Sequence, residues 1–172
     1  HRNRGKAVIV DLAPGTGGTL SQPQILRRPE IIHGLRNLVQ NAVDYADSTV
    51  WIDAVWTDTT IQMRIIDDGK GFPLQLLGRI GDPFVRTRRS VEDRDKRPEY
   101  EGMGLGLFIA KTLLERSGAE LSFANGRDPL MPRGGRGTRS GAIVELAWPL
   151  DRIVADAAEI RGRLGENQPL LP

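Results

Sequence analysis

The sequence lacks cysteine, which excludes disulfides and thiolate metal centres. Histidine is nearly absent as well, with only His1 and His33. No apolar run approaches the ~20 residues that a bilayer-spanning helix needs. The basic stretch from His1 to Lys6 is not followed by the apolar core of a signal peptide. Neither sign of charge dominates: 24 Lys and Arg stand against 22 Asp and Glu, so no nucleic-acid footprint emerges. The chain also starts without Met, and it reads as a piece of a longer protein. What remains is the composition of a soluble globular chain, 39% apolar and 27% charged over 172 residues. That length is enough for one domain with a sizeable core.

The organising stretch is Asp67-Asp68-Gly69-Lys70-Gly71-Phe72-Pro73. Thr60 to Ile66 before it alternates polar and apolar residues, as a half-buried strand does. The strand thus runs into two carboxylates and two glycines. A carboxylate can accept a hydrogen bond from a ligand amino group, and glycine lets backbone approach closely. By itself the heptapeptide also suits a plain turn.

The strongest periodic signal covers Glu30 to Ala46. Ile31, Leu35, Leu38, Ala42 and Ala46 recur at steps of four and three, and Ile32, Val39 and Val43 broaden the stripe. Pro29 and Glu30 suit the first turn of this helix. A second face carries His33, Asn37 and Asn41 at steps of four, with Asp44 and Tyr45 just beyond. A solvated polar face accounts for one Asn. Two Asn among Leu, Val and Ala point further, because an amide oxygen is a neutral ligand for a hard cation such as Mg²⁺.

Ala7 to Leu12 reads as a strand, and Pro14 to Pro23 as a loop with a possible hairpin turn. Val50 to Val55 and Thr60 to Ile66 form a hairpin, and Leu74 to Ile80 a short helix broken by Gly81-Asp82-Pro83-Phe84. Val85 to Met103 mixes many charges with few apolar residues, which suits either a plain disordered insert or a lid whose cations reach phosphate. Gly102-Met103-Gly104-Leu105-Gly106-Leu107 then reads as a glycine-rich loop opening a helix from Phe108 to Arg116. It matches neither a Walker loop nor a dinucleotide fingerprint, and a flexible hinge is the local alternative. Strands follow at Glu120 to Asn125 and Ala142 to Trp148, around a Gly- and Arg-rich loop from Gly126 to Gly141 that reads as a solvated hairpin loop, with contact to an acidic partner as the alternative. A helix capped by Asp151 is expected from Arg152 to Leu164, with a frayed tail to Pro172.

The order Asn37-Leu38-Val39-Gln40-Asn41-Ala42, Asp67-x-Gly69-x-Gly71, Asp82-Pro83-Phe84 and Gly102-x-Gly104-x-Gly106-Leu107 resembles the N, G1, F and G2 boxes of sensor histidine kinases. The wording around Gly81 to Phe84 and Gly102 to Leu114 is similar to the redox-responding RegB/PrrB group of that family. The resemblance implies an α+β fold, a Bergerat-type two-layer α/β sandwich with a mixed, mostly antiparallel sheet and helices on one face. It implies a linker remnant over 1–6, an ATP-binding catalytic domain over 7–150 with a lid at about 85–103, and a C-terminal helix and tail over 151–172.

Carried over residue by residue, Asp67 would accept the adenine amino group. Gly69 and Gly71 would let backbone pass close to the nucleotide. Asn41 would hold Mg²⁺, with Asn37 one turn earlier, and Tyr45 would lie near the adenine. Phe84 would anchor the lid and Arg86 would reach the phosphates. Gly102, Gly104 and Gly106, with Leu105 and Leu107, would form the hinge and the phosphate-facing loop. Asp44 stands where many members of the family carry Lys, and it is assigned no binding role.

ATP and Mg²⁺ are the cofactors the resemblance implies, for phosphoryl transfer to a histidine on a separate dimerisation domain and relay to a response regulator. Neither His1 nor His33 opens a phosphoacceptor helix, and His33 is expected at the surface. No nucleic-acid or direct membrane contact is expected of this piece. Its expected place is the cytoplasmic side of an inner-membrane-anchored bacterial kinase. The same fold serves gyrase-type and mismatch-repair ATPases, which carry Glu where this chain has Asn37. Asn cannot take a proton at neutral pH, which argues for transfer over hydrolysis. A gyrase-type ATPase and a non-catalytic module of the same fold are the alternatives.

Overall fold

The computed structural model describes residues 5–77, 103–126 and 137–155. Five strands make one sheet in the order β1-β2-β3-β5-β4: β1 Ala7–Pro14, β2 Thr49–Trp56, β3 Thr60–Asp67, β4 Glu120–Asn125 and β5 Ala142–Pro149. β1 pairs with β2 in parallel, and every other pairing is antiparallel. The helices are α1 Pro29–Tyr45, α2 Leu74–Leu77, α3 Met103–Arg116 and α4 Leu150–Ile153. This is the mixed, mostly antiparallel α+β architecture expected from the motif order.

The apolar stripe of α1 goes where its spacing sends it: Ile31, Leu38, Ala42 and Ala46 are all buried. Beneath it lie Val50, Ile65, Val144 and Leu146 from the central strands, joined by Leu107, Ala110 and Leu114 of α3. Gly34 sets the spacing of the two helices, since a Cβ there would fall 2.5 Å from Leu114 Cγ. Buried polar groups in this layer are paired, as burial requires. Trp148 Nε1 donates to Ser117 Oγ at 2.8 Å, and that hydroxyl donates in turn to the Leu114 carbonyl. The other face carries the cross-strand row Asp53, Arg64, Glu145 and Ser122, where Arg64 pairs with Glu145.

Three expectations change. The segment from Gly104 to Leu107 belongs to the first turns of α3, which begins at Met103, and is helix where a loop was expected. The reason lies in the period: Leu107, Ala110 and Leu114 share one face, and all three are at most 1% exposed. Burying Leu107 outweighs the ~1 kcal/mol that each helical glycine costs.

Of the helix expected over Arg152 to Leu164, only 152–155 lie among the described residues, and there the start differs. α4 starts at Leu150 and stops at Val154, which is extended at φ −82° and ψ 131°. Val154 bridges Ile25, with Leu26 N donating to Ile153 O and Ala155 N to Gln24 O. These bonds draw the backbone out of the helix, and Ile153 is fully buried in the core. Residues 156–172 lie outside the described residues.

Finally, no hairpin turn follows β1. The strand runs on to Pro14, the Gly15 amide donates to the Trp56 carbonyl, and the chain crosses through α1 to a parallel neighbour. The short helix expected over Leu74 to Ile80 is described only as far as Leu77.

Candidate functional site

β3 delivers Asp67 and Asp68 side by side at its end, both buried, at 3% and 2% exposure. Their environments differ. Asp67 Oδ1 accepts from the backbone N–H of Gly69 at 2.9 Å and of Ala142 at 3.1 Å. No described residue offers its Oδ2 a hydrogen bond. Burial pushes the Asp67 carboxyl up to about 6; the two backbone bonds oppose this, and the neighbouring Asp68 and Asp47 add to it. A buried carboxylate with one oxygen satisfied and the other unpartnered is an acceptor waiting for a donor.

Asp68 is saturated from within the protein. Its Oδ1 accepts from the amides of Ser48 at 2.9 Å and Thr49 at 3.0 Å. Its Oδ2 accepts from the Ser48 hydroxyl and from the Gly137 amide at 2.9 Å. Burial alone would raise this carboxyl. The bonds from the Ser48 hydroxyl and from the Ser48, Gly137 and Thr49 amides outweigh burial and hold it well below the usual carboxylate range. Asp68 thereby joins the α1–β2 turn and the β4–β5 connection to the end of β3.

Glycines make the turn possible. A Cβ on Gly69 would lie 2.1 Å from the Tyr45 carbonyl oxygen, so the turn and the last residue of α1 are in backbone contact. Gly71 sits at φ +80°, a conformation that glycine adopts without strain. Asn125 then pins Phe72 from both sides: its Oδ1 accepts from Phe72 N at 2.7 Å and its Nδ2 donates to Phe72 O at 2.9 Å. Phe72 and Phe123 meet edge to face, with ring centroids 6.0 Å apart.

The structure therefore brings Asp67, Gly69 and Tyr45 directly together. Asn41 lies one helical turn before Tyr45, ~6 Å along the axis, and Asn37 one turn further. Both Asn residues are half-buried, whereas His33 on the same face is exposed, as expected. Neither amide has a hydrogen-bond partner among the described residues. On α3, Gly104 is half-buried, Leu105 is exposed, and a Cβ on Gly106 would meet none of the described atoms within 4 Å. The Leu107 side chain faces the core. Phe84, Arg86, Gly102 and most of the expected lid lie outside the described residues.

Sequence reasoning missed Ser48, Thr49, Asn125, Gly137 and Gly141. Gly141 N donates to the Asp67 carbonyl at 2.9 Å, and a Cβ there would fall 2.0 Å from Asp67 Oδ1. These residues are remote from Asp67 in the chain, and no local pattern marks them. A separate groove of about 540 Å³ lies on the opposite face of the sheet, lined by Asp53, Gln62, Arg64, Glu120 and Glu145 among others. It shares no residue with the Asp67 turn, and among the described residues its wall includes Asp53, whose buried Oδ1 has no hydrogen-bond partner.

Residues 27–152 match the family described as Histidine kinase-, DNA gyrase B-, and HSP90-like ATPase, and the chain belongs to that family. Within it, the chain is similar to the sensor histidine kinase RegB of Cereibacter sphaeroides, with 63% identity over 97% of this chain and 36% of the relative. It is 34% identical to the signal transduction histidine-protein kinase AfsQ2 of Streptomyces coelicolor, over 73% of this chain and 20% of that one. The chain thus spans about a third of the length of its RegB relative. Among solved structures, a mycobacterial sensor histidine kinase, MprB, superposes with a TM-score of 0.53 at 19% identity, covering 81% of this chain and 83% of that one. Full-length ShkA in complex with AMPPNP gives a TM-score of 0.53 at 22% identity, over 90% of this chain and 27% of that one. The two solved structures bear out the fold, and the RegB likeness bears out the group that the motif wording pointed to.

Proposed function

We propose that this chain is the nucleotide-binding catalytic domain of a two-component sensor histidine kinase of RegB type. It binds Mg-ATP and passes the γ-phosphoryl group to a histidine on a separate dimerisation domain. The observation that carries the reading is the unpartnered Oδ2 of buried Asp67, on a turn that touches the end of α1, the helix that carries two half-buried Asn amides with no partner among the described residues. An ionised Asp67 accepts the exocyclic amino group of adenine, which discriminates adenine from guanine, whose six-position bears an acceptor. Gly69 and Gly71 keep the turn flat beside the base.

Among the described residues no group of three or more His, Asp or Glu could hold a metal. A divalent ion here would be held by the amide oxygen of Asn41 and by the phosphates themselves, the usual way Mg²⁺ is bound with nucleotides. That ion supplies charge neutralisation when present. Asn37 hydrogen-bonds without taking a proton, so it orients and does not activate water. Transfer breaks the bond from Pγ to the bridging oxygen and forms an N–P bond at a neutral imidazole nitrogen. ADP leaves with the bridging oxygen, and the other ring nitrogen releases its proton to solvent. Arg86 is assigned to the phosphates, and the start of α3 at Gly104 and Gly106 to the phosphate side of the site. The phosphoacceptor histidine is assigned to a separate dimerisation domain, and the response regulator is a separate protein that takes the phosphoryl group from it. No described helix is long and apolar enough to cross a membrane.

Calorimetric titration with a non-hydrolysable ATP analogue, with and without Mg²⁺, tests this. The wild-type chain binds, Mg²⁺ tightens binding, and Asp67→Asn weakens it more than about 100-fold, the scale of leaving a recognition pair broken and buried. Equal affinity in Asp67→Asn overturns the reading. Steady phosphate release by the isolated chain, lost in Asn37→Ala, would instead mark a gyrase-type ATPase.

A further inference from the structure

We propose that Lys6 is a positioning residue for the nucleotide pocket, its ammonium holding the last turn of α1 against the turn that follows β3. The inference rests on the nucleotide-binding reading above and adds to it a residue that no motif contains.

Lys6 is half-buried, and its Nζ donates to the carbonyl oxygens of Val43 at 2.7 Å and Asp44 at 3.4 Å. These carbonyls sit at a helix C-terminus, where intrahelical partners run out. The last turn of α1 contains no basic residue of its own. A lysine 37 residues upstream of Val43 therefore supplies the cation that favours this end of the helix dipole. The helix stops at once, because Ala46 is extended at φ −62° and ψ 145°.

The adjoining residue completes a bracket. Ala7 N donates to Ser48 O at 2.8 Å, and Ser48 in turn gives its amide and hydroxyl to Asp68. The dipeptide Lys6-Ala7 thus grips both walls of the pocket. One wall is the helix end with Asn41 and Tyr45. The other is the Asp67–Gly69 turn, which touches α1 through the Tyr45 carbonyl. Losing the Lys6 ammonium frees the helix end from β1 while leaving every ligand-facing group in place. The expected consequence is a pocket whose two walls are less well held, and hence weaker nucleotide binding.

Lys6→Met removes the donor and keeps the aliphatic stem. Its test is the Kd of a non-hydrolysable Mg-ATP analogue by calorimetry, read beside the ligand-free Tm and the backbone amide NMR resonances. Lys6→Met should weaken the analogue about three- to tenfold, a part of the value of a charge-assisted hydrogen bond. Lys6→Arg should stay within about twofold, because its guanidinium also donates to carbonyls. The amides of Asn41 and Gly69 should shift, and those of β4 should not. Unchanged affinity in Lys6→Met, whatever its Tm, overturns the proposal, since a merely structural lysine would move Tm alone. Should Lys6→Met not fold, Lys6→Gln, which keeps a neutral donor, takes its place: intermediate weakening supports the proposal and wild-type affinity overturns it. If the wild-type chain itself fails to bind the analogue, the nucleotide reading falls first. The Asn41 and Gly69 resonances then decide whether Lys6 holds the two walls, and their constancy in the variant overturns that too.

Discussion

The turn after β3 has two halves that sequence presents as alike, Asp67 and Asp68, and the fold treats them in opposite ways. Both carboxyls are buried to nearly the same degree. Asp68 accepts hydrogen bonds from Ser48, Thr49 and Gly137, and is held ionised as a structural hub. Asp67 accepts only two backbone bonds, both on one oxygen, and its carboxyl is pushed up to about 6. Burial alone therefore does not decide the role of an acid; the number of donors aimed at it does. An acid that the protein satisfies completely organises backbone. One that it leaves half satisfied is available to a ligand.

Asp68→Ala is the most disruptive way to probe this difference. It strips the partners from three backbone amides at once, each costing about 1–3 kcal/mol if left buried and unpaired. Chemical denaturation should show a loss of about 3 kcal/mol or more, whereas Asp67→Asn should leave ligand-free stability at pH 7 unchanged or raised. A smaller loss in Asp68→Ala than in Asp67→Asn would erase the distinction between hub and acceptor.

Gly141→Ala comes next. The added methyl would press on Asp67 Oδ1 and on the Gly69 amide, at 2.0 and 2.7 Å before any relaxation. Overpacking of this kind costs about 1–3 kcal/mol, readable as a fall in Tm, and nucleotide affinity should fall with it because Asp67 must move.

The mildest probe is pH. Asp67 accepts from an adenine amino group only when ionised, so affinity for an ATP analogue should be level above pH 7 and fall about tenfold per unit below about 6. The stability linkage has the opposite sign. The folded value is raised above the unfolded 3.8, so the stabilising contribution of protonated Asp67 is fully present below 3.8 and lost as pH rises through about 6. That contribution amounts to about 3 kcal/mol at 1.36 kcal/mol per unit. Asp68, held below its usual range, contributes stability that is present above the unfolded value and lost only as pH falls through its lower folded value. Titrations of wild type and Asp67→Asn between pH 5 and 8 separate the two: the variant should lose the sloping part and keep the rest.

Local patterns carried a great deal of this. The four-and-three spacing from Ile31 to Ala46 told which face of α1 enters the core, and alternation told where β2 and β3 run. The run of Asp67, Gly69 and Gly71 marked the turn, because close backbone approach and positive φ are properties of single residues. Period also misled at one place. The glycines at 104 and 106 suggested a loop, yet Leu107 lies on the same helical face as Ala110 and Leu114, and its burial extends α3 back to Met103.

Sequence by itself determined the elements and the residues able to recognise a nucleotide, because those follow from side-chain chemistry and from periods of two and 3.6 residues. Only tertiary structure decided which acid would be saturated and which left open, since the deciding donors come from Ser48, Gly137 and Ala142, far along the chain in both directions. It alone likewise set β1 parallel to β2 and drew Lys6 to the end of α1. Hydrogen bonds between remote segments leave no periodic trace in a sequence. They exist only once hydrophobic packing has brought their donors and acceptors together.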